Sequence, residues 1–120
     1  MSERTSIAVR RSVGGVSDEN ARIRDNADQH RYEITVDGEL TGFVRYVRRG
    51  GRAYFVHTEI NPQHEGGGLG SALARGALDA QRELGEPVVP LCPFIRGYVE
   101  RHPEYTDVVD TEMLATIDGE

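Results

Sequence analysis

Between His64 and Gly85 the chain reads HEGGGLGSALARGALDAQRELG, and this stretch limits the possible folds more than any other. Leu69, Leu73, Ala77, Ala80 and Leu84 recur at helical spacing, with Arg75, Asp79, Arg82 and Glu83 opposite, so an amphipathic helix starts near Gly68 or Leu69. Gly85 suits the left-handed capping position, and Pro87 blocks continuation. Apolar runs of strand composition flank the helix, RAYFVHTEI at 52–60 before it and PVVPLC at 87–92 after it. A helix joining two strands of one sheet is a crossover, so these two strands are expected to lie parallel in a β-α-β unit.

Upstream, from about Ala21, the pattern is that of a strand meander. RYEITV (31–36) alternates apolar and polar residues, Asp37-Gly38 is a two-residue hairpin signal, and ELTGFVRYV (39–47) connects through Arg49-Gly50-Gly51 to 52–60. Strict alternation along 52–60 sets Tyr54, Val56 and Thr58 on one face and Phe55, His57 and Glu59 on the other. Pro90 cannot donate a ladder hydrogen bond and points to an edge or a place where pairing is lost. A second helix, from about Pro93 to Arg101, carries Phe94 and Tyr98. The expected fold is a small α+β domain over 21–112, an antiparallel meander plus one crossover and a C-terminal helix. Residues 1–20, rich in Ser, Arg, Gly, Asp and Glu, form a mobile extension or an added edge strand, and 113–120 a tail.

Composition narrows the function. A chain of 120 residues has room for one modest core. A net charge of −6 argues against non-specific binding to nucleic acid, while leaving room for a basic pocket for one phosphorylated ligand. All 14 basic residues are arginine, which removes mechanisms that need a lysine ammonium in this chain. Cys92 is the one cysteine and cannot form an intramolecular disulfide, and the four histidines are too dispersed for a preassembled zinc motif, so no metal is expected. No apolar run is long enough to cross a bilayer, and the amino terminus lacks the apolar core of a secretory signal, which suggests the cytoplasm.

Gly66, Gly67, Gly68 and Gly70 follow a strand and open a helix, so bare backbone N–H groups and the positive end of the helix dipole converge where a phosphate or pyrophosphate could sit. Glycines in this place also serve simply as a tight turn. A P-loop is excluded, because Gly68-Leu69-Gly70-Ser71 stands where GK[ST] is required. A dinucleotide fingerprint is excluded as well, since Gly66-x-Gly68-x-x-Ser71 breaks the GxGxxG spacing and follows a meander.

The segment does resemble the acyl-CoA-binding motif of the GNAT acyltransferase superfamily, written Q/R-x-x-G-x-G/A. Here it is Glu65-Gly66-Gly67-Gly68-Leu69-Gly70, followed by Ser71-Ala72-Leu73. Gly68 and Gly70 match; Glu65 replaces Gln or Arg, and its carboxylate would repel a pyrophosphate, so the backbone contacts are what carry over. The resemblance spans roughly 30–105. HTEI, EGGGLGSAL and PLCPFIRGYVERHPEY look more specifically like a compact subfamily of GNAT-like proteins. It implies acetyl-CoA as cosubstrate on 65–71, two parallel strands that splay apart, and a pantetheine arm in the gap beside Thr58, Glu59 and Ile60. The region between the first two strands that usually carries two helices is missing or very short, so the acceptor is not implied beyond an amine.

Three residues are the candidate catalysts. Cys92 lies where the second parallel strand ends and a helix begins, a setting that favours thiolate, and could accept an acyl group. Tyr98, in YVERHPEY, resembles the tyrosine that protonates the departing CoA thiolate in this superfamily. His57 is a candidate base, with Glu59 behind it, whereas His102 before Pro103 suits a helix end better. Three functions stay open at this point: an acetyltransferase acting directly or through acetyl-Cys92, a non-catalytic acetyl-CoA-binding or sensor module, and a structural protein whose glycines serve helix packing.

Overall fold

The computed structural model describes residues 21–62 and 68–119, and one five-stranded sheet in the order β1-β2-β3-β4-β5 organises them. The strands are β1 (Ala21–Asn26), β2 (Arg31–Val36), β3 (Glu39–Arg49), β4 (Arg52–Ile60) and β5 (Val88–Pro90), and the helices α1 (Leu69–Leu84), α2 (Pro93–Arg101) and α3 (Thr111–Asp118). The expectation for residues 1–20 lies outside the described residues. Strands β1 to β4 form an antiparallel meander, and β5 joins parallel to β4 through α1, as the crossover requires. The fold is the small α+β architecture read from the sequence, with a further strand at one edge and a third helix at the other. No helix among the described residues is long and apolar enough to cross a membrane.

Local chemistry explains the joints. Asp37 and Gly38 both take positive φ, 54° and 83°, the conformation of a type I′ hairpin turn whose twist matches the strands it connects. At Gly85, φ is 70° and its N–H reaches back to Arg82 O, closing α1 as the capping signal requires. Between Asn26 and Arg31 a short 3-10 turn, Ala27–Gln29, ends on His30 at φ 57°.

The core lies between the sheet and α1, closed at one end by α2. Tyr32, Ile34, Val44, Tyr46, Ala53 and Phe55 from the sheet meet Leu69, Leu73, Ala77 and Leu78 of α1 and Ile95 and Tyr98 of α2. Close approach of β1 to α1 depends on Gly76, where a Cβ would come within 2.8 Å of Ile23 Cγ1. Leu84 departs from expectation. It shares the angular face of Leu73 and Ala77 but is 61% exposed, so the last turn of α1 runs past the surface that covers the rest of the stripe. Fully buried Gln81 is the last covered residue, and its Oε1 accepts the Tyr32 hydroxyl at 2.6 Å and Arg48 at 3.1 Å. At the β5 edge, residues beyond α2 complete the fold, with Val88 bridging to Val109 and Arg52 bonding Asp110 at 2.6 Å.

A second departure matters more for function. Along β3 and β4, Arg45 pairs with His57 but the next residue, Tyr46, pairs with Phe55, so Val56 is an extra residue in a β-bulge. The extra residue reverses the alternation. Phe55 is buried in the core, while His57 and Glu59, expected to share its face, point to the opposite side of the sheet.

Candidate active site

Pairing between β4 and β5 covers only three residue pairs, Ala53–Val88, Tyr54–Val89 and Phe55–Pro90. Pro90 has no N–H to offer, and the next two N–H groups, of Leu91 and Cys92, both donate to Phe55 O, at 3.0 and 2.9 Å. The chain then turns into α2. Strand β4 instead runs on, paired with β3 as far as Ile60 opposite Gly42. Among the described residues, no strand pairs with this edge of β4 over residues 56–60. Asn61 N donates to Thr41 O on the β3 side at 2.7 Å, so alternation turns the peptide groups of Thr58 and Ile60 toward the open edge.

Cys92 sits at the mouth of that gap. It occupies the position before α2, with extended backbone and Pro93 at the first helical position, so its side chain lies at the helix N-terminus. The thiol is 4% exposed and donates to Thr58 Oγ1 at 3.2 Å. That contact is possible only because the bulge swings Thr58 to the Cys92 side.

The first turn of α1 supplies the other wall. Gly68 precedes the helix at φ 86°, a conformation that glycine adopts without strain, and its carbonyl accepts Ala72 N at 3.0 Å. Among the described residues no side chain caps this end and no acidic residue lies in its first turn, where the N–H groups of Leu69, Gly70 and Ser71 and the positive end of the dipole gather. At Gly70 a Cβ would come within 2.8 Å of Phe94 Cζ, so glycine there lets α2 close against the start of α1. Glu65, Gly66 and Gly67 lie outside the described residues.

The other expected site residues fall on the far face of the sheet and between α1 and α2. On the far face of the sheet, His57 Nε2 lies 3.9 Å from Glu59 Oε2, their side chains 56% and 64% exposed, and the His57 ring is 6.2 Å from that of Phe43. They flank the same open length of β4 as Thr58 and Ile60, but from the opposite side. Tyr98 is buried between α1 and α2, its ring stacked on His102 at 4.0 Å. Burial pushes its hydroxyl up, and the Arg75 guanidinium partly offsets that rise. His102 acts as a helix end, since its backbone N–H bonds Val99 O and its Nδ1 donates to Tyr98 O at 2.8 Å. Phe94, read from the sequence only as a helix residue, proves to be the packing partner of Gly70; the two are far apart in the chain and nothing in its local pattern announces the contact.

A family model described as GCN5-related N-acetyl-transferase matches residues 31–108. The chain belongs to this family. A comparison with curated proteins found no match. The acetyltransferase match begins at β2 and ends at Val108, so it takes in the β4–β5 gap, α1 and α2 and leaves β1 and α3 outside. Members of the family use acetyl-CoA as acyl donor to an acceptor substrate. The chain's own groups fit such a donor: peptide groups of β4 facing away from β3, a helix start that no side chain caps among the described residues, and a thiol against Thr58. Among the described residues, no three His, Cys, Asp or Glu side chains gather to hold a metal ion.

Proposed function

We propose that this acetyltransferase-family chain binds acetyl-CoA across the open edge of β4 and the first turn of α1, and transfers the acetyl group to an amine. The observation that carries the reading is the loss of β5 beside residues 56–60 of β4. Peptide groups at a strand edge need partners, and the amides of a pantetheine arm provide them in the manner of an added strand. The pyrophosphate then falls at the glycine segment 66–71, held by backbone N–H groups and the helix dipole.

Two routes lead from there. In the covalent route the Cys92 thiolate attacks the acetyl carbon, the CoA thiolate leaves, and an amine takes the acetyl group from sulfur. In the direct route the amine attacks the thioester from the far face of the sheet, with His57 or Glu59 taking its proton. Tyr98 is the candidate proton donor to the CoA thiolate, and Arg75 nearby would favour the phenolate left behind.

Intact mass of wild type and Cys92→Ala after incubation with acetyl-CoA separates the routes. An acetyl adduct on wild type that is absent from the variant, and that disappears when an amine is added, establishes the covalent route. Amine acetylation at undiminished rate by Cys92→Ala establishes the direct one. Acetyl-CoA binding without acetylation of protein or amine would mean that the chain is a binding or sensor module and not a transferase.

A further inference from the structure

The far face of the sheet beside the gap has two halves of different electrical character. Toward β1 the charges are matched. Glu33 accepts Arg31 Nε at 2.8 Å and Asn26 Nδ2 at 2.9 Å and lies 3.6 Å from Arg24, while the Arg31 guanidinium also covers the Phe43 ring, 4.5 Å from its centre. Toward the gap they are not. Arg45 lies directly opposite His57 and Phe43 opposite Glu59 across the β3–β4 ladder. Arg45 is exposed and touches the Phe43 ring at 5.8 Å, and among the described residues no carboxylate stands within ion-pair distance of it. Among the described residues, the charged partner of Glu59 is His57, at a distance too long for a hydrogen bond. Diagonal neighbours on adjacent strands are roughly 7–8 Å apart at the backbone, so Arg45 and Glu59 present a cation and an anion that no opposite charge of Arg or carboxylate meets among the described residues, with His57 beside both.

Resting on the transferase reading above, we infer that the acceptor is a small primary amine that also carries a carboxylate. Arg45 takes the carboxylate through its planar fork of N–H donors, and Glu59 and His57 receive the ammonium beside the open length of β4. A diamine would set a second ammonium against Arg45, and a plain alkylamine would leave that guanidinium without a partner. The transfer balances as follows: one ammonium proton passes to His57 or Glu59 and on to solvent, and the amine nitrogen bonds to the acetyl carbonyl carbon. The carbon–sulfur bond breaks, and the second proton lost by nitrogen ends on the CoA thiol.

The test measures acetyl-CoA-dependent CoA release with three sets of acceptors: small α- and β-amino acids, their carboxamides, and diamines of similar length. Calorimetry with acetyl-CoA alone is run in parallel. A charge-assisted contact of this kind gives the acids an advantage of about tenfold in kcat/KM over their amides. In Arg45→Gln that ratio falls toward one, and in Arg45→Glu the diamines become the better acceptors. Carboxamides or diamines reacting as well as the acids in wild type overturn the assignment of the acceptor while the transferase reading stands. If acetyl-CoA binds and none of the three sets is acetylated, both fall.

Discussion

At the scale of single residues, Glu33 shows how a charge can be buried at a profit. Burial pushes its carboxyl up, but hydrogen bonds from Arg31 and Asn26 and the charges of Arg31 and Arg24 outweigh that push and hold it below the usual carboxylate range. A carboxyl depressed in the folded chain stabilises the fold above its unfolded value, and that contribution is lost as the pH falls through the folded value. Glu33→Gln should therefore melt below wild type at neutral pH, and the difference should shrink as the pH is lowered from about 5 toward about 3. Thermal unfolding at stepped pH checks this; a difference that stays constant across the range would place the stabilisation in something other than the charge. Alternation in RYEITV correctly gave Glu33 to the polar face of β2. Its burial could not be read there, because the side chains that cover it come from β1 and from its own strand's neighbours in space.

At the scale of elements, the joints were legible and the irregularities were not. The Asp37-Gly38 turn, the Gly85 cap, the Pro93–Arg101 helix and the loss of pairing at Pro90 all follow from residues whose backbone preferences are narrow. The bulge at Val56 depends instead on how β3 fits β4, and no residue type demands it, so the faces of His57 and Glu59 came out reversed relative to Phe55. Likewise the exposure of Leu84 is set by where the sheet stops, and α3 is too weakly amphipathic for its period to stand out. Gly42 pairs with Ile60 where β3 has no room for a side chain. A Cβ there would lie 2.5 Å from Ile60 Cδ1 and 2.8 Å from Glu59 O, and a backbone oxygen cannot rotate away. Gly42→Ala is expected to cost about 1–3 kcal/mol, read as a fall of several degrees in Tm. Since the displaced segment borders the gap, the variant should also bind acetyl-CoA more weakly. An unchanged Tm would mean that the two strands are not held at this spacing.

For the whole molecule, one arrangement ties the parts together. α1 and α2 close one face of the sheet and leave His57 and Glu59 exposed on the far face beside the gap, so a ligand lying at the edge of β4 would be reachable from that far face. The matched family region holds the gap, both of its walls and the free face, while β1 and α3 extend the sheet and cover β5. With a net charge of −6, the proposed binding of a polyanionic donor would have to rest on local groups, backbone N–H groups and a helix dipole, rather than on the overall field. Calorimetric titration with acetyl-CoA tests that claim most directly. The account predicts saturable binding of one acetyl-CoA per chain, weakened when the diphosphate portion of the ligand is removed; no saturable binding, or binding indifferent to the diphosphate, would contradict it.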